Sequence, residues 1–222
     1  MGVVSPPGTS LGRKPAHVQL DYAMKLILVS TPYFFVEEHP IITALFDEGL
    51  DFLHLRKPDS EPIYCERLLS LLPKKTYKRI VVHDHYYLKN EYSLWGIHLA
   101  RKNEIPLNYK GHVTCSCRTI DELKNLKPKC DYVIFNPAID SEPSQQPLFG
   151  PETIARYAAE KTIDKHVMAM GNIDLDDIEG IGDAGFGGAV LFGSIWNRFD
   201  VHSTQDFKEL ISHFRKIRKA AG

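Results

Sequence analysis

The sequence predicts a TIM (β/α)8 barrel in one domain. Eight short apolar runs alternate with helical stretches from Met24 onward, and no linker or internal repeat divides them. Two late apolar runs, 167–170 and 189–192, are followed by Gly171-Asn172-Ile173 and Gly193-Ser194. In such a barrel the loops after strands seven and eight, with a short helix N-terminus, form a phosphate site. A doubly wound open sheet is the alternative, because alternation alone does not show closure.

The elements are expected in this order. Strand one is 25–30, and helix one is 40–48, with Ile41, Leu45 and Phe46 on one face. Strand two is 51–56, and helix two (61–72) carries Ile63, Leu68, Leu69 and Leu72 at helical spacing. Strand three is 79–83, a short helical piece covers 86–91, and strands four and five are 95–99 and 113–116. Thr119, with Glu122 three residues on, forms a capping-box pattern ahead of Leu123 and Leu126. Strand six is 131–135, and helix five (151–160) opens on proline, favoured at a first helical position. Strand seven is 167–170 with a helix at 174–181, and strand eight is 189–192. The closing helix (204–219) is amphipathic through Phe207, Leu210, Ile211, Phe214 and Ile217.

Composition narrows the function classes. The chain has 222 residues, 43% hydrophobic, and can bury a sizeable core. A formal net charge of −1 gives no broad electrostatic footprint for nucleic acid or an anionic membrane. No apolar run approaches the roughly 20 residues that span a bilayer. Cys65, Cys115, Cys117 and Cys130 contain no C-x-x-C pair, so neither zinc nor a disulfide framework is expected, and reduced thiols in a cytoplasmic protein are. Residues 1–23, rich in proline, glycine and serine, read as a disordered N-terminal extension, and 24–222 as the barrel domain.

Catalytic residues of a barrel belong at the C-terminal ends of its strands. Those ends hold His54 and Arg56, then His83, Asp84 and His85, then His98, Ser116, Arg118, Asn136, Asn172 and Gly193. A single histidine there is most often a hydrogen-bonded loop residue; six polar groups at the ends of strands three to five favour a shared site. Arg56 offers a planar fork for phosphate or pyrophosphate, and Lys57 adds a point charge. Asp84 suits a divalent cation, although an ion pair with Arg56 across neighbouring strands is an equal structural reading. His83 and His85 share a face by strand alternation while Asp84 points oppositely, which argues against a three-ligand metal cluster of these neighbours.

At these residues the chain resembles the thiamin phosphate synthase/TenI family. The likeness runs through His54-Leu55-Arg56, Val82-His83-Asp84, Gly96-Ile97-His98-Leu99 and Ser116-Cys117-Arg118-Thr119. It continues through Asp131-Tyr132-Val133, Pro137, Gly150 and Gly171-Asn172-Ile173. The resemblance implies a barrel that joins hydroxymethylpyrimidine pyrophosphate to thiazole phosphate and releases pyrophosphate with Mg2+. Arg56 and Lys57 would then face the pyrophosphate, Asp84 would hold the metal, and Ser116 would touch the pyrimidine side. Ser141 and Glu142 would flank the thiazole phosphate, whose oxygens would meet backbone amides of Asn172, Phe192 and Gly193 beside Gly171. His54 and His83 replace the family's glutamine and asparagine, Arg118 its histidine, and Asn103 its second metal carboxylate. TenI-type relatives instead imply a metal-free thiazole tautomerase, for which His98 or His83 would be the base. A non-catalytic thiazole-phosphate-binding module and an unrelated phosphosugar isomerase remain as further alternatives. The expected partners are small molecules, with a homodimer left open.

Overall fold

In a computed structural model the chain forms a closed barrel of eight parallel strands in sequence order, each bonded to the next and β8 to β1. The structure describes residues 23–99, 105–137, 151–200 and 207–222. The strands are β1 Lys25–Val29, β2 Phe52–Leu55, β3 Ile80–Val82, β4 Gly96–Leu99, β5 His112–Cys117, β6 Tyr132–Phe135, β7 Val167–Met170 and β8 Gly188–Leu191. The helices are α1 Glu38–Asp47, α2 Pro62–Leu71, α3 Leu88–Glu91, α4 Ile120–Leu126, α5 Pro151–Ala158, α6 Ile178–Asp183, α7 Gly193–Trp196 and α8 Lys208–Ala220. The open sheet is thereby excluded. Residues 1–22, 100–104, 138–150 and 201–206 lie outside the described residues, and so does the start expected for the last helix.

Alternation along each strand creates two cores. Outward residues such as Leu26, Leu28, Leu53, Leu55 and Val133 join α1, α2, α6 and α8 in one continuous apolar layer. Inward residues Ile27, Val29, Tyr132, Ile134, Met168 and Val190 fill the barrel, with Phe52, Trp95 and Met170 packed against them. Gly96 is required by close approach: a Cβ there would fall 2.3 Å from the His112 carbonyl oxygen on β5. The mouth is pinned at β1 and β2. The Arg56 N–H donates to Ser30 Oγ at 2.9 Å, and that hydroxyl donates to Arg56 O at 3.0 Å.

Local sequence rules hold with small shifts. Thr119 Oγ1 accepts from Glu122 N at 3.2 Å as the cap of α4, but Glu122 returns its carboxylate to the Arg118 N–H at 2.8 Å. The helix expected at 174–181 starts as a 3-10 turn, Leu175–Asp177, under a full capping box from Asp174 and Asp177. Two further 3-10 turns are placed by proline: Lys74–Arg79 follows Pro73, and Lys127–Lys129 contains Pro128. The thiols require a correction. Cys115 and Cys130 are bonded to each other, while Cys65 and Cys117 are free and buried. Cys115 lies outward on β5 and Cys130 stands just ahead of the neighbouring β6, so pairing of these strands brings together cysteines that sequence spacing keeps apart.

Candidate functional site

The inward face of β2 runs Phe52, His54, Arg56, and the two polar residues sit toward the C-terminal end of the barrel. His54 is fully buried. Its Nδ1 lies 2.8 Å from His83 Nε2 at the end of β3, and its Nε2 lies 2.5 Å from the hydroxyl of Tyr132 on β6. His98 on β4 is held on both sides: Nδ1 is 2.8 Å from Thr114 Oγ1 and Nε2 is 2.9 Å from Ser116 Oγ, both on β5. The His83 and His98 rings stack at 4.1 Å. Five successive strands, β2 to β6, thus contribute to one imidazole cluster and its hydrogen-bond partners, and Arg56 is exposed beside it.

Burial dominates the electrostatics of this cluster. Desolvation of the charged form, with His98 adding repulsion, holds His54 well below the ordinary imidazole value. His83 is lowered likewise, first by burial and then by its neighbours His98, His54 and Arg56. His98 falls to about 3, through burial and then the Arg56 charge. All three rings are therefore neutral at pH 7. The Tyr132 hydroxyl is pushed well up by burial, so it is a neutral donor or acceptor.

Other expected residues fall differently. Lys57 does not face the mouth. It is buried, with Nζ at 2.6 and 2.7 Å from the two carboxylate oxygens of Glu38, 2.8 Å from Tyr33 O, and over the Phe34 ring at 4.3 Å. It follows Arg56, and strand alternation turns it outward. His85 also leaves the shared face expected with His83, because β3 ends at Val82 and His85 has a φ of 51°. Its Nε2 meets Ser60 O at 2.8 Å instead. Asp84 Oδ2 is buried and has no hydrogen-bond partner among the described residues. A carboxylate oxygen in that state fits an oxygen-seeking cation such as Mg2+. Asn103, Ser141 and Glu142 lie outside the described residues.

Across the barrel, Gly171 and Asn172 follow β7 with φ of 148° and 48°. Phe192 caps α7, and its carbonyl accepts from the Ile195 and Trp196 N–H groups at 3.1 and 2.9 Å. The Gly193 and Ser194 amides therefore precede the first intrahelical bonds. Ser194 Oγ is a second buried polar atom with no partner among the described residues. The Trp196 indole N–H anchors this turn to Val29 O at 2.8 Å. Arg118 stands exposed beyond the end of β5. Sequence reasoning missed Tyr132 and Thr114, although the period-two pattern of β5 and β6 places both inward with Ser116 and Ile134.

Fold and site together define a (β/α)8 barrel with a polar, histidine-lined mouth at the C-terminal ends of its strands. Comparison with solved structures is specific. A crystal structure of thiamine phosphate pyrophosphorylase from Bacteroides thetaiotaomicron is 49% identical and superposes with a TM-score of 0.80, covering 89% of this chain and 98% of that one. The chain therefore belongs to the thiamine phosphate pyrophosphorylase family, the thiamin phosphate synthase-like barrels. The Pyrococcus furiosus thiamine phosphate pyrophosphorylase, at 14% identity and TM-score 0.66, covers 89% of this chain and 95% of that one. A 3-hexulose-6-phosphate synthase, at 12% and 0.57, covers 89% and 99%. Both show the fold alone. No protein-family model and no curated protein sequence matches the chain. Among the described residues, no helix is long and apolar enough to cross a membrane.

Proposed function

We propose that the protein condenses hydroxymethylpyrimidine pyrophosphate with thiazole phosphate to thiamin phosphate, releasing pyrophosphate. The observation that carries this reading is the 49% identity, over 89% of the chain, to a protein described as a thiamine phosphate pyrophosphorylase. The geometry supports it. Arg56 and Asp84 stand at the ends of neighbouring strands, an anion-binding fork beside an unpartnered carboxylate oxygen. Asp84 would hold Mg2+, which when bound offsets pyrophosphate charge. Arg56 stabilises the departing oxygens by charge-assisted hydrogen bonds. Ser116 and the neutral His98 line the pyrimidine side, and His54 and His83 fix that wall from behind. Arg118 and the turns at Gly171-Asn172 and Phe192-Gly193 bind the thiazole phosphate, the latter two through backbone N–H groups. Condensation also needs the two rings held in line, which a rigid barrel mouth supplies.

A tautomerase is the second reading, favoured by the neutral imidazoles of His83 and His98. A base whose conjugate acid titrates near 3 has little driving force for proton abstraction at pH 7, so condensation is the better match. Incubation with both substrates and Mg2+ separates the two: thiamin phosphate appears in one case, and only solvent-proton exchange on the thiazole in the other. Absence of both leaves a thiazole-phosphate-binding module. A cytoplasmic location is part of the proposal. Thiol titration of protein denatured straight from cells tests it: Cys115 and Cys130 found reduced support the cytoplasm, whereas the bonded pair of the structure found intact counts against it.

A further inference from the structure

We propose that His54, His83 and His98 form a binding site for a borderline transition-metal cation of the zinc class, separate from the Mg2+ position at Asp84. One ring nitrogen from each residue lies within 4.8 Å of the other two. Imidazole nitrogen selects zinc, nickel, copper and cobalt ions, whereas Mg2+ prefers oxygen. Zinc–nitrogen bonds of roughly 2.0–2.1 Å put tetrahedral ligand atoms about 3.3 Å apart. His54 Nδ1 and His83 Nε2, now 2.8 Å apart, need to open by only about half an ångström.

The outer contacts already suit ligation. A cation held through Nδ1 of His54 and Nε2 of His98 leaves the opposite nitrogens as donors, His54 Nε2–H to the Tyr132 hydroxyl and His98 Nδ1–H to Thr114 Oγ1. An acceptor on the far nitrogen orients a metal-bound histidine, most often a carboxylate, carbonyl or water, and here a hydroxyl oxygen fills that role. Ser116 Oγ gives up its bond to His98 in exchange. His83 has to turn off its stack on His98, whose rings now lie 15° from parallel. It is the least buried of the three, and among the described residues its ring hydrogen-bonds to His54.

Three neutral ligands leave the cation's charge uncompensated, and the Arg56 charge already reaches His83 and His98. The fourth ligand is therefore an oxyanion at the open mouth. This last point alone rests on the reading of Arg56 as a pyrophosphate residue.

The test is titration of the metal-stripped full chain with Co2+, followed by visible absorption. The expected result is an intense low-coordinate Co2+ band that saturates at one equivalent, is displaced by Zn2+ and shifts on addition of inorganic pyrophosphate. His54→Gln and His83→Asn, the residue types of the family pattern, should each weaken Co2+ binding at least about 100-fold with the fold retained. Tyr132→Phe, which keeps every ligand, should weaken it roughly 10–100-fold. No band in the wild-type chain with Co2+ in large excess overturns the site, and so does a band that His54→Gln and His83→Asn both retain. Because the readout uses neither thiamin precursor, its failure leaves the condensation reading standing.

Discussion

Lys57→Met tests whether this lysine is structural, as the fold has it, or a pyrophosphate ligand, as its place after Arg56 suggests. The Lys57 and Glu38 side chains have no solvent exposure, and each is shifted toward its neutral form chiefly by burial. Methionine matches the stem of lysine but leaves the Glu38 carboxylate, among the described residues, with only Thr31 Oγ1, at 3.3 Å. Breaking a buried pair in this way costs about 3–5 kcal/mol. At roughly 2–4 °C per kcal/mol for a domain of this size, Tm should fall by about 6–20 °C. The double variant Lys57→Met/Glu38→Leu removes both charges and should recover most of that loss, because a buried pair is often no better than a well-packed apolar one. Chemical denaturation with urea gives the free energies, and calorimetry with inorganic pyrophosphate gives binding. A single variant that keeps its stability but loses pyrophosphate affinity would refute the buried pair and return Lys57 to the mouth.

Four other outcomes follow from the same geometry. Gly193→Val brings a Cβ 3.2 Å from the Asn197 side-chain amide, which can yield, so the fold should survive while thiazole phosphate affinity drops about tenfold or more, roughly 1.4 kcal/mol, by calorimetry. Asp84→Asn should lower Mg2+-dependent condensation at least about 100-fold, some 2.7 kcal/mol of barrier, in a steady-state assay. Gly96→Ala has no room beside the His112 carbonyl and should destabilise by about 1–3 kcal/mol in urea unfolding, with the ligand site otherwise intact. In the metal-free protein the lowered pKa of His98 means that the unfolded state binds the extra proton. Stability is therefore full above the unfolded value near 6.5 and declines as pH falls toward about 3, in a decline that His98→Asn should make shallower.

The barrel was legible because each strand is a short apolar run in a regular alternation with amphipathic helices, and β7 matches the expected limits residue for residue. The strand ends also named His54, Arg56, His83, His98 and Ser116 correctly as neighbours. What escaped depended on partners distant in sequence. The Lys57–Glu38 pair joins the end of β2 to the start of α1, where an acidic residue looks like an ordinary solvated first turn. Tyr132 reads as one more aromatic core residue until β6 is set opposite β2. The Cys115–Cys130 bond joins β5 to the segment just before β6, strands that only the folded barrel makes neighbours, and no spacing rule contains it. His85 was misplaced because β3 ends at Val82 and His85 itself takes a left-handed φ, which breaks the alternation on which its orientation relied.

The measurement closest to the central claim is product formation by the purified full chain with hydroxymethylpyrimidine pyrophosphate, thiazole phosphate and Mg2+. Thiamin phosphate and pyrophosphate should appear in equal amounts, with turnover lost in Asp84→Asn and in Arg56→Ala while both variants unfold at the wild-type temperature. A well-folded chain that binds thiazole phosphate yet releases no pyrophosphate under these conditions would contradict the account.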